Sequence, residues 1–334
     1  MSTAPSVGVL GMTLDAELDA ALAQRLADVE AALRDAVTAS DGFVSEAASH
    51  LVAAGGKRFR PLVTLLAAQF GDAGAPGVVP AAVVVELTHL ATLYHDDVMD
   101  EADMRRGADS ANSRWGNAIA ILTGDFLFAR ASDVLADLGP EAVRLQARTF
   151  ERLVQGQIRE TIGPADGDDP VEHYLQVIAD KTGSLIGTSA RFGALLAGVP
   201  ADQVELLTRF GERIGIAFQL SDDLLDVASD ASESGKTPGT DLREHVPTLP
   251  VLLLRRAGRP EDADLIAALD GDLSDDAALA GVLKQLREHP CMAEAAEVTR
   301  DWGAKARESL AGLPVSPARD ALESLCDAVA TRRI

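Results

Sequence analysis

The stretch YHDDVMDEADMRRG, residues 94–107, places three aspartates within five positions and two arginines shortly after them. On a helix, residues i and i+4 lie on one face, so Asp96 and Asp100 point the same way and Asp97 flanks them. Carboxylates held this close repel one another unless a cation binds. Mg²⁺ suits such a site because it takes one or two carboxylates and fills its other positions with water and phosphate oxygens. The stretch therefore predicts a helix that ends in a magnesium site.

A second stretch, FQLSDDLLD at residues 218–226, repeats the same acidic spacing at Asp222, Asp223 and Asp226. One such cluster alone could equally be a solvated acidic helix end. Two copies, each within an apolar helical segment, favour a shared role in metal binding. The sequences that flank the two motifs differ, so the chain has no repeat of fixed period.

Helical periodicity continues outward from both motifs through nearly the whole chain of 334 residues. Hydrophobic residues make up 47% and aromatic residues only 4%, which favours helices over a β-sandwich. We therefore expect an all-α protein, a single domain over residues 1–334 in which long helices bundle around a central cavity and residues 1–12 are flexible. The predicted long segments are 13–38, 78–102, 112–138, 141–162, 171–197 and 201–230, and shorter helices fill 248–331.

Charge and composition exclude several classes of protein. The net charge of -22 argues against a nucleic-acid binder, which normally shows a basic face. The first 20 residues lack a basic region before an apolar run, and the apolar stretch 78–94 contains Pro80, Glu86 and His89, so we expect neither a secretory signal nor a membrane span. Cys291 and Cys326 lack metal-ligand spacing and are predicted to be reduced thiols. A cytoplasmic protein is the expectation.

Basic residues accompany the acidic motifs. GGKRFRP, residues 55–61, places three cations directly after two glycines, where backbone and side chains can approach an anion together. Lysine–threonine pairs occur at Lys181 and Lys236; a P-loop around the second is excluded, because Asp230 stands where that pattern needs glycine. Cations beside acid clusters are what two diphosphates require, one bridged by metal ions and one held by side chains alone.

With these motifs in order, the chain resembles the trans-isoprenyl diphosphate synthases, or polyprenyl synthetases. The resemblance covers roughly residues 50–255 and implies the head-to-tail condensation of isopentenyl diphosphate with an allylic diphosphate, by ionisation, condensation and elimination. The stretches that carry it are GGKRFRP, ELTHLATLYHDDVMDEADMRRG, GDFLFARA, KTGSLI, FQLSDDLLD and GKTPGTDLREHVPTLP.

The resemblance also implies residue roles. Both acidic motifs would hold about three Mg²⁺ ions on the allylic diphosphate, where the metal charge stabilises the leaving group. Thr182 and Gln219, with the backbone carbonyl of Lys181, would stabilise the allylic carbocation. A homodimer is expected, with transient membrane contact during release of an apolar product. The diphosphate-binding residues would be Arg105, Lys181 and Lys236 for the allylic substrate, and Lys57, Arg60, His89 and Arg106 for isopentenyl diphosphate.

Two positions depart from the family pattern. Val246 stands where a lysine is frequent, which removes one cation from the allylic diphosphate, and Asp109 stands where proline is common. Without the resemblance, His89 would be interpreted as a core histidine, and Arg58 is interpreted as a structural or surface residue.

Product length is predicted from the residues that precede the first motif. Thr92 and Ala91 lie four and five residues before Asp96, where short-chain members carry a bulky aromatic residue. Small side chains there predict an open tunnel and a long all-trans product of the kind used as a quinone side chain. The alternatives are a geranylgeranyl or farnesyl diphosphate synthase, a terpene cyclase or head-to-head synthase, and a non-catalytic partner subunit of a heteromeric synthase. Intact acidic motifs and the isopentenyl diphosphate residues argue against the last two.

Overall fold

The computed structural model describes residues 12, 14–229 and 238–330. Most of these residues are helical, which confirms the predicted all-α class. The helices of the first half are α1 (Ala16–Ala36), α2 (Gly42–Ala53), α3 (Phe59–Ala68), α4 (Val78–Met99), α5 (Ala111–Trp115), α6 (Asn117–Leu138) and α7 (Pro140–Ile162). Those that follow are α8 (Pro170–Ile178), α9 (Ser184–Leu196), α10 (Ala201–Ala228), α11 (Thr240–Arg243), α12 (Leu249–Ala257), α13 (Ala263–Leu269), α14 (Asp276–Glu288), α15 (Pro290–Ser309) and α16 (Pro317–Ala330).

Short irregular elements interrupt this series. Met104–Arg105 and Ala108–Asp109 form a two-stranded antiparallel hairpin, β1 and β2, directly after α4. A π-helical turn, Ala179–Gly183, separates α8 from α9, so the segment predicted as one helix over 171–197 is divided. A 3₁₀ turn, Pro260–Asp262, precedes α13.

The chain divides into two compact units. The first comprises residues 1–150, 185–211 and 309–325, and the second comprises residues 151–184, 212–308 and 326–334. The single domain expected over residues 1–334 stays a prediction. The flexibility expected of residues 1–12 concerns positions outside the described residues, apart from Met12, which is buried.

Helix α4 is central to the first unit and packs mainly against α6, α3 and α1. Its residues from Ala81 to Thr88 are all buried, which explains the continuous apolar sequence. Among the described helices, α4 alone is long and apolar enough to cross a membrane by length and composition, but 67% of that window is buried within the protein, as in a core helix. Its last turn carries the first acidic motif.

In the second unit, one face of α10 packs into the core through Ile216, Leu220, Leu224 and Val227. These positions follow the three- and four-residue spacing of a helical stripe. Because successive residues are about 100° apart, Asp222 and Asp226 lie away from this stripe, whereas Asp223 lies beside it. The helical phase of α10 thus buries Asp223 and leaves Asp222 and Asp226 partly exposed.

Candidate active site

The three aspartates of the first acidic motif differ in their burial. Asp97 is fully buried, and its Oδ1 accepts a hydrogen bond from Arg105 Nε at 2.5 Å. Arg105 Nη2 also lies 3.9 Å from Asp100 Oδ2. Burial raises the pKa of Asp97, although the charge and hydrogen bond of Arg105 act in the opposite direction. Asp97 therefore orients Arg105, while Asp96 and Asp100 are the more accessible carboxylates.

The hairpin after α4 is anchored to the same helix end. Ala102 N donates to Asp97 O at 3.0 Å, and Ser110 N donates to Asp103 O at 2.9 Å. Arg106, in the hairpin turn, has a left-handed φ of 55°. This turn sends the side chains of Arg105 and Arg106 to different partners, which the sequence alone does not reveal.

Arg60, His89 and Arg106 form a cluster of basic residues in the first unit. Burial and the neighbouring Arg106 lower the pKa of Arg60 to about 10. The pKa of His89 falls well below its usual value, first through burial and then through nearby arginines, of which Arg60 is the strongest. Arg60 Nε is buried and has no hydrogen-bond partner in the described part of the chain. A cluster in which cations depress one another's pKa is suited to a polyanion.

The GGKR turn shapes this cluster. Gly56 has a φ of 148°, and a Cβ there would lie 2.9 Å from Arg106 Cζ. Arg106 donates to Leu51 O at 3.3 Å and to Gly55 O, so its guanidinium is held against the turn. Gly56 is thus needed where the backbone approaches Arg106 closely, whereas Gly55 is favoured by its positive φ of 83°. The exposed Lys57 lies on the same turn.

Arg58, which follows Lys57, supports the turn from within. Its side chain is buried, donates to Glu30 and lies 3.0 Å from Glu86 Oε1. The raised pKa of Arg58 reflects those two carboxylates, which outweigh its burial. Burial of paired charges gives Arg58 a structural role, and its left-handed φ of 47° turns the chain into α3.

In the second motif, Asp223 is held by two protein donors. Its Oδ2 accepts from the Tyr174 hydroxyl, and its Oδ1 accepts from Gln219 Nε2 at 2.8 Å. Burial raises the pKa of Asp223 to about 6, although both hydrogen bonds act to lower it. The direct metal contact predicted for Asp97 and Asp223 stays a prediction: both carboxylates are buried, Asp223 has a donor on each oxygen, and Asp97 Oδ2 has none among the described residues.

The outer acids of the second motif differ from each other. Asp226 accepts hydrogen bonds from Thr240 N at 3.3 Å and Asp241 N at 3.2 Å, so it holds the start of α11 against α10. Asp222 is partly exposed. Val246, which replaces a frequent lysine, is 39% exposed, and its amide donates to Asp241 O at 2.8 Å.

The π-helical turn carries Lys181 and Thr182. Lys181 Nζ bonds Glu160 Oε2 at 2.5 Å, and Thr182 Oγ1 donates to Gln219 Oε1 at 3.2 Å. Gly156 allows close approach, because a Cβ there would lie 2.9 Å from Lys181 N. The remaining predicted lysine, Lys236, lies outside the described residues.

A buried aspartate fixes the shape of that turn. Asp180 accepts from Arg152 Nε at 3.2 Å, from Gln176 Nε2 at 2.9 Å and from Arg159. Its own carbonyl accepts from Ser184 Oγ at 2.5 Å. Single-turn π-helices often occur at functional sites. Asp180 and its arginines could not be predicted from the sequence, since charges on separate helices carry no spacing signal.

The structure brings the predicted residues together in two sets. The first unit assembles Arg60, Arg105, Arg106 and His89 near the first motif; the second assembles Lys181, Thr182 and Gln219 with the second motif. The residues that sequence analysis missed include Tyr174 and Glu160. The burial of Asp97 and Asp223 could have been predicted, because each continues an apolar helical stripe with spacings of three and seven residues. Asp97 follows Tyr94 and Leu90 in this way, and Asp223 follows Leu220 and Ile216.

The donor chemistry of both motifs fits Mg²⁺. No group of three or more His, Cys, Asp or Glu side chains among the described residues is arranged to hold an ion by itself. Mg²⁺ does not need such a group, because it commonly binds one or two carboxylates and completes its shell with water and phosphate oxygens. The partly exposed Asp96, Asp100, Asp222 and Asp226 can supply these carboxylates.

Comparison with known proteins identifies the family. The polyprenyl synthetase model matches residues 41–286. The chain is 49% identical to a nonaprenyl diphosphate synthase of Mycobacterium tuberculosis over 98% of both chains. Among solved structures it is similar to a geranylgeranyl pyrophosphate synthase of Corynebacterium glutamicum, complexed with calcium and isoprenyl diphosphate, at TM-score 0.84 and 43% identity over 95% of this chain and 98% of that one. A decaprenyl diphosphate synthase of Rhodobacter capsulatus matches with TM-score 0.85 and 34% identity, over 95% of this chain and 98% of that one. The chain therefore belongs to the polyprenyl synthetase family and is an all-α prenyltransferase.

Proposed function

We propose that the protein is a Mg²⁺-dependent, long-chain all-trans polyprenyl diphosphate synthase. The observation that carries this proposal is the basic cluster of Arg60, His89 and Arg106 in the unit that holds the first acidic motif. A diphosphate that needs no metal would neutralise this cluster, whereas a second diphosphate would be bound through metal ions. The nonaprenyl and decaprenyl synthases among the relatives support a long product.

Isopentenyl diphosphate is assigned to the basic cluster. Arg60 offers a buried donor without a protein partner, and Arg106 is held at the GGKR turn by backbone carbonyls. Neutral His89 can donate one N–H, and a bound diphosphate would favour its protonation. Lys57 lies on the same turn and completes the set of cations. These residues orient the substrate and supply charge without a metal ion.

The acidic motifs are assigned to Mg²⁺. Asp96 and Asp100 in one motif, and Asp222 and Asp226 in the other, are the carboxylates that would hold it. When bound, the ions stabilise the charge that develops on a leaving diphosphate. Asp97 fixes Arg105, which can then turn its remaining N–H groups toward the allylic diphosphate, and Lys181 and Lys236 are assigned to that same substrate.

The reaction that these residues serve has three steps. The allylic C–O bond breaks, and its electron pair leaves with the diphosphate. The double bond of isopentenyl diphosphate then attacks the cation and forms the new C–C bond. A proton is lost, with the departed diphosphate as the base, and a new double bond forms. Gln219 Oε1 and Thr182 Oγ1 offer negative dipole ends to the cation without offering a strong nucleophile.

Several expectations remain part of this proposal. We propose a homodimer, cytoplasmic location, transient membrane contact during product release, and use of the product as a quinone side chain. Exposed apolar residues on α6, Ile121 and Leu122, support association with a second copy.

Product analysis tests the proposal directly. Purified protein, Mg²⁺ and isopentenyl diphosphate are incubated with dimethylallyl, geranyl, farnesyl or geranylgeranyl diphosphate, and the products are resolved by mass. We expect a ladder that ends at one long polyprenyl length and is abolished by a chelator. A ladder that stops at geranylgeranyl diphosphate would favour the alternative suggested by the Corynebacterium glutamicum relative. If no primer is elongated, the remaining alternatives are a terpene cyclase and a non-catalytic partner subunit.

A further inference from the structure

A chain of hydrogen bonds joins four side chains in the second unit. Thr182 Oγ1 donates to Gln219 Oε1 at 3.2 Å, and Gln219 Nε2 donates to Asp223 Oδ1 at 2.8 Å. The Tyr174 hydroxyl, on α8, donates to the other oxygen, Asp223 Oδ2. The hydrogen bonds thus connect the π-helical turn to the second acidic motif and end at a partly buried tyrosine.

The carboxylate of Asp223 fixes the orientation of the Gln219 amide. An ionised carboxylate can only accept hydrogen bonds, so the amide must turn its NH₂ group toward Asp223. Its carbonyl oxygen is then directed to the side of Thr182, which is the end of the dipole that a carbocation requires. A reversed amide would present N–H donors to the cation and would oppose ionisation.

Asp223 depends on Tyr174 to keep this acceptor role. Only 8% of Asp223 is exposed, so Oδ2 would lose its donor in a poorly solvated site if the hydroxyl were removed. The carboxyl group would then rotate to find another donor, and the Gln219 amide that it holds could reverse.

We infer that Tyr174 is a positioning residue for the ionisation step, which acts through Asp223 to hold the Gln219 carbonyl oxygen toward the developing cation. This inference rests on the proposed function, and it assigns a role to a side chain that contacts neither reacting carbon. It also gives Asp223 a use that does not involve direct contact with metal.

The test replaces Tyr174 by phenylalanine, which removes only the hydroxyl. Two inert analogues of the allylic diphosphate serve as probes in the presence of Mg²⁺. In the first, called the neutral analogue, a thiolodiphosphate carries an uncharged hydrocarbon chain. In the second, the ammonium analogue, a positively charged nitrogen replaces the carbon that becomes cationic in the reaction. We expect Tyr174→Phe to weaken binding of the ammonium analogue about tenfold, as for a lost interaction with a charged group. Binding of the neutral analogue, and the KM for both substrates, should stay within about twofold, while kcat falls about tenfold.

The chain offers a matched control, because it contains only one other tyrosine. Tyr94 is fully buried, and its hydroxyl donates to Ala47 O and accepts from Leu51 N. Tyr94→Phe also removes one buried hydroxyl, but from backbone partners. It should lower thermal stability and leave the ratio of the two analogue affinities unchanged.

A double variant separates positioning from packing. In a Gln219→Leu background, Tyr174→Phe should cause no further loss of affinity for the ammonium analogue. Equal weakening of both analogues by Tyr174→Phe, or an effect that persists without Gln219, would overturn the inference. Elongation by the wild-type enzyme tests the proposed function separately. If the wild type does not elongate any primer, the proposed function and the role of Tyr174 are both wrong. If it elongates, but Tyr174→Phe leaves the ratio of the two analogue affinities unchanged, only the role of Tyr174 is wrong.

Discussion

At the scale of single residues, His89 is the group whose charge should respond most to substrate. Burial and the surrounding arginines keep its pKa well below the usual value. A histidine with a lowered pKa stabilises the fold above its unfolded pKa of ~6.5, and this stability is lost as the pH falls through the lowered value. Binding of a diphosphate reverses the local charge and should raise the pKa. We therefore expect binding of inorganic pyrophosphate near pH 6 to be accompanied by proton uptake.

Titration calorimetry in buffers of different ionisation heat measures that uptake. The ligand can exchange protons itself, so the informative quantity is the difference between the wild type and His89→Gln. We expect the wild type to take up as much as about one additional proton. Identical proton uptake by both proteins would show that His89 does not sense the bound anion.

Residue types and their spacing were enough to predict only part of the site. The sequence located both acidic motifs and the basic residues beside them, because identity and spacing suffice for such clusters. It assigned all three aspartates of each motif to metal binding, whereas the structure buries Asp97 and Asp223. Their hydrogen bonds come from Arg105 and Tyr174, and the second of these lies 49 residues away in the chain. A contact between distant helices leaves no local pattern from which it could be predicted.

At the scale of elements, the GGKR turn before α3 makes a sharp prediction. Gly56 has a φ of 148°, and a Cβ at this position would collide with the flexible end of Arg106. Gly56→Ala should therefore displace the guanidinium and weaken isopentenyl diphosphate binding about tenfold, with a further cost of ~1 kcal/mol in stability. Fluorescence or calorimetric titration with isopentenyl diphosphate measures the affinity.

Gly42→Ala is the matched control for this turn. Gly42 begins α2, and a Cβ there meets nothing within 4 Å. This variant should bind isopentenyl diphosphate like the wild type. If Gly56→Ala also binds normally, Arg106 is not part of the isopentenyl diphosphate site.

Helix α4 can be tested as the wall along which the product extends. Thr92 lies four residues before Asp96, about 6 Å along the helix axis, and is only partly buried. Thr92→Phe should place a ring in the path of the growing chain and shorten the product, as measured by mass analysis. Thr92→Val keeps the volume and removes the hydroxyl, so its product should equal that of the wild type. An unchanged length in Thr92→Phe would mean that the product takes another path.

Helices were also the elements that the sequence predicted best. Apolar periodicity placed the long helices, since burial of one face imposes the same spacing along each of them. The break at Ala179–Gly183 was missed because a single π-helical turn between two helices is too short to interrupt the helical periodicity visibly. Its cause is tertiary: Asp180 is held by Arg152, Arg159 and Gln176 from two other stretches of helix. The two-residue strands after α4 are likewise too short for any alternation to show.

At the scale of the whole molecule, the sequence predicted the all-α class, the family and the prenyltransferase activity, and the comparisons confirm all three. Composition and the order of the motifs were sufficient for this. The division of the chain into two compact units was not predicted. Each unit combines segments that are distant in sequence, and no linker of distinctive composition marks the points of division.

The oligomeric state is the remaining whole-molecule prediction. Leu122 on α6 is 61% exposed and lies beside Ile121, which is 43% exposed, so the helix presents adjacent apolar side chains to solvent. A second copy of the chain would remove them from water. We expect sedimentation equilibrium to give twice the chain mass of 35.0 kDa. Leu122→Glu should shift the equilibrium to the monomer, because burial of an unpaired carboxylate at the contact is costly.

Val315→Glu is the control: Val315 is 86% exposed, between α15 and α16, and its substitution should leave the mass unchanged. A wild type that sediments as a monomer, or a Leu122→Glu variant that remains dimeric, would place the contact elsewhere or remove it.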